Sequence, residues 1–218
     1  MSPSDSEASF TESSAREREE MVERQLRGRG IEDPRVLAAM GEVPRELFVA
    51  DADRGQAYQD GAVPIASGQT VSQPWIVARM TELLELTGPE RVLEVGTGSG
   101  YGAAILSRCA SHVVTVERHA ELARTAAALL AKLGYSNVET RVGDGSRGVA
   151  DRAPYDAIAV TASASDQPPA VLLEQLVAGG TLVCPIERGG EQELKRFRGG
   201  EEETIIAVRF VPLVEGEE

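Results

Sequence analysis

The sequence predicts an α/β protein. Its core is a doubly wound, mostly parallel sheet with helices on both faces, antiparallel strands at one edge and an N-terminal helical extension. Three observations predict it. From Arg91 onward, short β-branched runs ("RVLEV", "HVVTVE", "NVETRV", "YDAIAV", "TLVCPI") alternate with helical patterns such as "AELARTAAALLAKLG" and "PAVLLEQLVAGG". Strands that alternate with helices build parallel βαβ units. A glycine-rich turn, "GTGSG", stands between the first strand and the first helix of this series, where open α/β sheets bind ligands. The last two strand-like runs, "QELKRFR" and "ETIIAVRFVPL", are joined through "GGEEE" with no helix between them, so they close as an antiparallel hairpin.

The elements follow in order. Residues 1–13 are polar and poor in apolar side chains, the composition of a disordered tail. "SAREREEMVERQLR" carries one modest apolar stripe, Met21, Val22 and Leu26, and stops at Gly28 and Gly30, which predicts a helix over 14–27. "DPRVLAAMGEV" predicts a second, short helix with Asp33 as its cap and Pro34 at its first position. "PRELF" is a further short turn. "AYQDGAVPIASGQTV" has the Gly, Pro and Ser of irregular structure. Ser72, Gln73 and Pro74 then open a helix backed by Trp75, Val77, Ala78 and Leu83. In the core, Leu122, Ala126, Leu129, Leu130 and Leu133 fall at helical spacing before Gly134.

Bulk properties narrow the function. The chain has 218 residues, 42% hydrophobic and 26% charged, as a soluble globular protein has. A net charge of −13 argues against nucleic acid or an anionic membrane as partner. No apolar run approaches a membrane span and the N-terminus lacks the apolar stretch of a secretory leader, so a cytoplasmic protein is expected. Cys109 and Cys184 lie far apart among apolar or small neighbours; two buried free thiols in a reducing compartment are expected. His112 and His119 have no Cys or His partner at ligand spacing, so no metal site is expected.

The glycine turn is more specific. Gly96, Gly98 and Gly100 let the backbone turn tightly and approach a ligand. A dinucleotide fingerprint needs a glycine at position 101, which is Tyr101. The spacing is instead G-x-G-x-G, with Glu94 two residues ahead of it. A carboxylate there does not suit a pyrophosphate; it suits a cation such as the methionine part of S-adenosylmethionine. No lysine of a phosphate loop follows. Glu117 ends the second strand, about twenty residues beyond the first glycine, where an acid accepts from both ribose hydroxyls; the plain alternative is a solvated charge at a helix start. Asp144 follows the third strand. It is placed to accept from an adenine amino group while Gly145 allows close approach, or it is an ordinary Asp-Gly turn. Acids at three successive strand ends point to S-adenosylmethionine.

At this point the chain resembles a known family. "AYQDGAVPIASGQTVSQPWIVARMTELLEL", "RVLEVGTGSGYGAAILS", "PYDAIAVTASA" and "LLEQLVAGGTLVCPI" are similar to the successive motifs of protein-L-isoaspartate O-methyltransferases. These are class I methyltransferases with a Rossmann-like sheet. The upstream "MVERQLRGRGIEDPRVLAAMGEVPRELFV" fits their N-terminal helices, so the likeness spans about Met21 to Leu213. It implies methyl transfer from S-adenosylmethionine to the free α-carboxylate of L-isoaspartyl residues in damaged proteins and peptides, with S-adenosylhomocysteine as product. The ester then collapses to a succinimide, which starts repair. The family's active-site serine falls on Ser72. Its cofactor contacts fall on Gln69, Thr70, Glu94, Gly96, Thr97, Gly98, Gly100, Glu117, Asp144 and Gly145.

The resemblance divides the chain into a tail (1–13), N-terminal helices with a substrate-side segment (14–88), a cofactor-binding core (89–213) and an acidic tail (214–218). A monomer acting on isoaspartyl proteins and peptides, without nucleic acid or membrane, is expected. Two stretches depart from the family pattern: "TASASDQPP" is less apolar, and "VEGEE" replaces the usual glycine- and tryptophan-containing end. A carboxylate acceptor is already anionic at neutral pH and needs no general base. Ser72 then serves as a hydrogen-bond donor rather than a nucleophile. On spacing alone Ser72 is a helix cap; the two roles coexist at a helix start. Two other readings stay open: a class I methyltransferase with a different acceptor, and a catalytically weak cofactor-binding module. A nicotinamide oxidoreductase is opposed by Tyr101 and Glu94.

Overall fold

The computed structural model describes residues 3–216, with side chains from Glu12 onward. The outermost positions of the two expected tails, 1–2 and 217–218, lie outside the described residues. The elements run α1 (Pro3–Glu20), α2 (Pro34–Glu42), β1 (Val63–Pro64), β2 (Thr70–Val71), α3 (Pro74–Leu83), β3 (Arg91–Val95), α4 (Tyr101–Cys109), β4 (His112–Glu117), α5 (Ala120–Lys132), β5 (Val138–Val142), β6 (Tyr155–Val160), β7 (Ala164–Ser165), α6 (Ala170–Glu174), β8 (Leu176–Arg188), β9 (Glu191–Arg198) and β10 (Glu201–Ala207).

The large sheet has the order β10-β9-β8-β6-β3-β4-β5, with β7 paired to β8 beside that path. Strands β5, β4, β3, β6 and β8 are parallel; β9 and β10 are antiparallel at one edge. Chain order runs outward from β3 to β4 and β5 on one side and through β6 to β8 on the other. The carboxyl ends of β3 and β6 are therefore the switch point where such sheets hold ligands.

Strand alternation sorts the core into two faces. Val92, Val113, Ala157, Ala159 and Val183 pack with α2, α3 and α4. Leu93, Val114, Val116, Ile158, Val160, Leu182 and Cys184 face the other way, towards Val149 and Leu172 of α6. Glu94, Thr115 and Glu117 fall in step with Val92 and Val113, so the period of two sends all three to the α4 side. Cys109 and Cys184 are buried and free, in separate clusters on the two faces.

The N-terminal extension is anchored by caps and one buried cation. Asp33 caps α2, accepting from the N–H groups of Arg35 (2.8 Å) and Val36 (3.4 Å), with Pro34 in the first turn. Arg45 is fully buried; its Nε donates to the Ala57 carbonyl at 2.7 Å and its guanidinium lies 4.8 Å from the Tyr101 ring centre. That stacking joins the "PRELF" turn to α4.

Three expectations differ from the structure. The chain is helical from Pro3, where composition predicts an unstructured tail to residue 13. After Pro3, which suits a first turn, no glycine or proline interrupts the Glu-, Ala- and Arg-rich run before Gly28. The buried Ser14, Met21 and Val22 tie its end to the core. The helix then widens to a π-turn over Met21–Leu26 and tightens to a 3-10 turn, ending at Gly30 in the left-handed region (φ 85°). The expected helix "PAVLLEQLVAGG" stops at Glu174. The next residue, Gln175, is drawn into the sheet side: its carbonyl accepts from Tyr155 N–H (2.8 Å), and its amide bridges Val149 N–H (3.0 Å) and the Arg147 carbonyl (2.8 Å). Finally, the last strand ends at Ala207, and "VRFVPL" leaves the sheet to cross the cavity described next.

Candidate active site

A cavity of about 1070 Å³ opens at the carboxyl ends of β3 and β4. Among the sequence-predicted site residues, Gln69, Thr70, Ser72, Glu94, Gly96, Thr97, Gly98, Glu117 and Gly145 line it, whereas Gly100 and Asp144 do not.

Its inner wall is built from strand ends. Glu94 is buried (2% exposed). Its Oε2 accepts from the Thr115 hydroxyl at 2.6 Å, and Thr115 in turn meets the Thr97 hydroxyl at 2.7 Å. Burial pushes the Glu94 carboxyl up to about 8; the Thr115 bond opposes this and the nearby Glu117 adds to it. No cation pairs with Glu94 among the described residues. Glu117 is also buried. Its two oxygens accept one backbone N–H each, from Gly98 (2.9 Å) and His119 (3.1 Å). A carboxylate has about four lone-pair sites, so Glu117 is held in place with capacity left for a ligand.

The glycine turn is locked beneath these acids. The Thr161 hydroxyl donates to the carbonyls of Val95 and Gly96, both at 2.9 Å. Gly96 has φ 97°, and a Cβ there would lie 2.2 Å from Thr161 Oγ1. Gly100 (φ 90°) begins α4 and packs against Ala126 and Leu130, so its part is close packing, not wall. Asp144 sits behind the wall and caps the turn Gly145–Arg147. It accepts from the Ser146 N–H (3.0 Å) and hydroxyl (2.6 Å) and from the Gly216 backbone. Against the upward push of burial, these bonds hold its carboxyl below the usual range.

The outer wall comes from two loops. One is the segment from Asp60 to Gln73; the other is the strap from Ala207 to Val214. Ser72 is not the helix cap. The cap of α3 is Gln73, whose carbonyl accepts from Val77 N–H at 3.2 Å, and no side chain caps that end. Ser72 stands one residue outside, half-buried and on the cavity wall, with its hydroxyl not used for capping. Gln73 is fixed instead through Asp60, to which its amide donates at 2.6 Å. Arg29 pairs with both Asp60 oxygens at 3.0 Å. The Tyr58 hydroxyl donates to Glu46 and accepts from Arg18.

A family model described as protein-L-isoaspartate(D-aspartate) O-methyltransferase matches residues 16–218. The chain belongs to this family. It is 54% identical over 206 residues to the protein-L-isoaspartate O-methyltransferase 2 of Pelobacter propionicus, covering 92% of this chain and 91% of that one. It is 51% identical over 211 residues to the protein-L-isoaspartate O-methyltransferase of a Synechococcus species, covering 92% and 86%. One solved protein-L-isoaspartate O-methyltransferase superposes with a TM-score of 0.81 at 30% identity, covering 89% of this chain and 65% of that one. A Plasmodium falciparum beta-aspartate methyltransferase in complex with S-adenosyl-L-homocysteine superposes with a TM-score of 0.75 at 26% identity, covering 90% and 98%.

Sequence reading of this isoaspartate methyltransferase family member missed several parts of the site. Gly102 is one: a Cβ there would lie 2.2 Å from Glu94 Oε1, so the glycine makes room for the carboxylate. Its sequence signal is only a glycine in the first turn of a helix. Thr115 and Thr161 read as ordinary β-branched or loop residues; strand register, not motif, puts them beside Glu94 and Gly96. The strap is the third. It reads as strand, and its role follows only from where the sheet ends.

Proposed function

We propose that this chain transfers the methyl group of S-adenosylmethionine to the free α-carboxylate of L-isoaspartyl residues in damaged proteins and peptides, and that Ser72 orients the acceptor. What supports the reading is one juxtaposition: Ser72, with a hydroxyl not used for capping, shares a cavity with Glu94, Glu117 and the glycine turn.

The donor wall fits the cofactor. Glu94 is a buried carboxyl with no cation beside it among the described residues, suited to the methionine ammonium. Glu117 retains lone pairs for ribose hydroxyls. Gly145 lines the cavity and packs tightly on β3, where a Cβ would lie 2.5 Å from Val95 Cγ1; Asp144, behind it, fixes that turn as its cap. Gln69 and Thr70 complete the set from the outer wall. When bound, S-adenosylmethionine supplies an electrophilic methyl group on a sulfonium sulfur.

The protein's own task is alignment. The Ser72 hydroxyl donates a hydrogen bond to one oxygen of the acceptor carboxylate and leaves the other to face the methyl group. No base is needed, because the attacking group is already ionised. Ile76, Val77 and Met80 from α3 and Phe210 from the strap, all on the cavity wall, exclude water as the site fills. Methylation turns one carboxylate oxygen into a methoxy group that can leave. After release the following backbone amide nitrogen attacks the ester carbonyl, methanol departs with the amide proton, and the succinimide forms.

We further place the protein in the cytoplasm as a monomer with peptide rather than nucleic acid or membrane partners. The two free buried thiols support the compartment, and the net charge of −13 supports the choice of partners. No described helix is long and apolar enough to cross a membrane.

The test uses labelled cofactor with two peptides of one sequence, one isoaspartyl and one aspartyl. Base-labile label on the isoaspartyl peptide alone is the expected result. Equal labelling, or base-stable label, replaces this reading with a different acceptor.

A further inference from the structure

β10 ends at Ala207, and the chain returns over the cavity as an irregular strap. Gln192, on β9, holds the first residues of that strap at three points. Its carbonyl accepts from Val208 N–H at 2.9 Å. Its side-chain Oε1 accepts from Phe210 N–H at 2.6 Å, and its Nε2 donates to the Phe210 carbonyl at 3.2 Å. The side-chain amide thus pairs with both backbone groups of Phe210, as a neighbouring strand would. One residue fixes the backbone on each side of Arg209.

Arg209 differs from the other cations of the cavity. It is exposed, it lines the cavity, and it makes no ion pair or hydrogen bond among the described residues. The other basic side chains on the wall, Arg118 and His119, are both engaged; Arg118 Nε donates to the Gly216 carbonyl at 3.3 Å. Asp60, the carboxylate on the outer wall, already has Arg29. The chain as a whole carries −13, a field that repels an anionic acceptor. Among the described residues Arg209 is therefore the uncompensated positive charge on the wall of the cavity that Ser72 also lines.

We propose that Arg209 is a specificity-determining residue for the anionic acceptor and that Gln192 is the positioning residue that presents it. The proposal rests on the reading that the acceptor is a carboxylate. Arg209 acts on encounter and binding rather than on the reacting atoms, since a tight ion pair would hold the electrons that must attack the methyl group. An exposed cation adds up to about fivefold in affinity, and salt screens it. In the sheet order β9 lies three strands from β3, and Gln192 itself does not line the cavity.

The experiment compares the full-length wild type with Arg209→Gln, Arg209→Lys, Gln192→Leu and the Arg209→Gln/Gln192→Leu double variant. Methyl transfer to an isoaspartyl peptide is measured at about 20 mM and about 300 mM salt, which brackets strong and weak screening. Arg209→Gln is expected to raise KM about fivefold at low salt, to leave kcat within about twofold, and to lose most of that difference at high salt. Arg209→Lys keeps most of the wild-type KM. Gln192→Leu raises KM, and the double variant is no worse than the worse single one, because both act through one charge. Cofactor affinity, measured by calorimetry, stays at the wild-type value in Arg209→Gln. A wild-type KM and salt dependence in Arg209→Gln overturns the proposal. So do multiplied effects in the double variant, or a fall in cofactor affinity equal to the rise in KM. Failure of the wild type to label any isoaspartyl peptide overturns the carboxylate reading itself, a different result from all of these.

Discussion

The two walls of the cavity are made in different ways. On the donor side, Glu94 and Glu117 sit on adjacent parallel strands, both buried, and every fixing contact comes from the sheet or the turn it feeds. On the acceptor side, Ser72 and the strap lie outside the sheet ladders and are held by side-chain amides, an exposed ion pair and a few backbone bonds: Gln73 to Asp60, Asp60 to Arg29, Gln192 to Val208 and Phe210, and Ser163 to Val211 and Leu213. The donor wall is as rigid as the fold, because moving it means moving β3 or β4. The acceptor wall costs little to shift, which suits a site that must admit a peptide. The cofactor is constant and the acceptor's neighbours vary, and the stiffness of each wall follows that difference.

Variants at opposite walls should therefore break different things. The largest effect is expected from Gly96→Ala. The residue needs φ 97°, and the added Cβ would meet Thr161 Oγ1 at 2.2 Å, displacing the hydroxyl that locks the turn. Cofactor affinity should fall by more than about a hundredfold and stability by about 1–3 kcal/mol, read by calorimetry and thermal unfolding. Ser72→Ala comes next and should do the reverse. Turnover of an isoaspartyl peptide falls about a hundredfold while cofactor affinity holds, since no structural hydrogen bond of α3 depends on that hydroxyl. Unchanged turnover would remove Ser72 from the mechanism.

The same contrast decides what could be read from the sequence. The donor wall was legible because its residues stand at fixed offsets from a strand: Glu94 and the glycines within β3 and its turn, Glu117 at the end of β4. Period-two alternation then fixes the face. Asp144 read equally as a site residue or as an Asp-Gly turn, and spacing could not choose; the structure makes it the cap of the turn Gly145–Arg147, off the cavity wall. The acceptor wall was legible only at Gln69, Thr70 and Ser72, through resemblance. Its cap assignment failed because Ser72 and Gln73 both precede Pro74 and spacing cannot choose between them; the Asp60–Gln73 bond, thirteen residues apart, chooses. The strap was hidden for a different reason. "ETIIAVRFVPL" has strand-like composition throughout, and it leaves the sheet where Gln192 and Ser163 capture its backbone.

Glu94→Gln sharpens the donor half through pH. Burial first, then Glu117, raises this carboxyl to about 8 against the bond from Thr115. An unfolded glutamate ionises in the ordinary carboxylate range. Between that range and about pH 8 the folded state therefore holds a proton that the unfolded state has lost. Stability falls as pH rises through this window and levels off above it. Glu94→Gln should remove that slope and raise the melting temperature at pH 8 by a few degrees, roughly 2–6 °C, while weakening cofactor binding about tenfold through loss of the charge opposite the ammonium. In the wild type, cofactor binding below pH 8 should release a proton, visible as a buffer-dependent binding enthalpy. A buffer-independent enthalpy would mean that Glu94 is already ionised before the ligand arrives.

The smallest effect tests the acceptor wall where it is softest. Asp60 and Arg29 are 47% and 42% exposed, and surface pairs of that kind contribute about 0–1 kcal/mol. Stability should barely register Asp60→Ala. The pair nevertheless fixes Gln73, the cap of α3 and the neighbour of Ser72, and Arg29 is itself braced at 5.0 Å from the Trp75 ring centre. Releasing Gln73 lets the Ser72 segment wander by tenths of an ångström without unfolding anything. KM for an isoaspartyl peptide should rise about threefold, with kcat reduced less and the melting temperature within about a degree of wild type. Cofactor affinity should not move, because no contact in this chain of residues reaches β3 or β4. If Asp60→Ala weakened the cofactor and spared the peptide, the two walls would not be mechanically separate, and the division of stiffness drawn between them would be wrong.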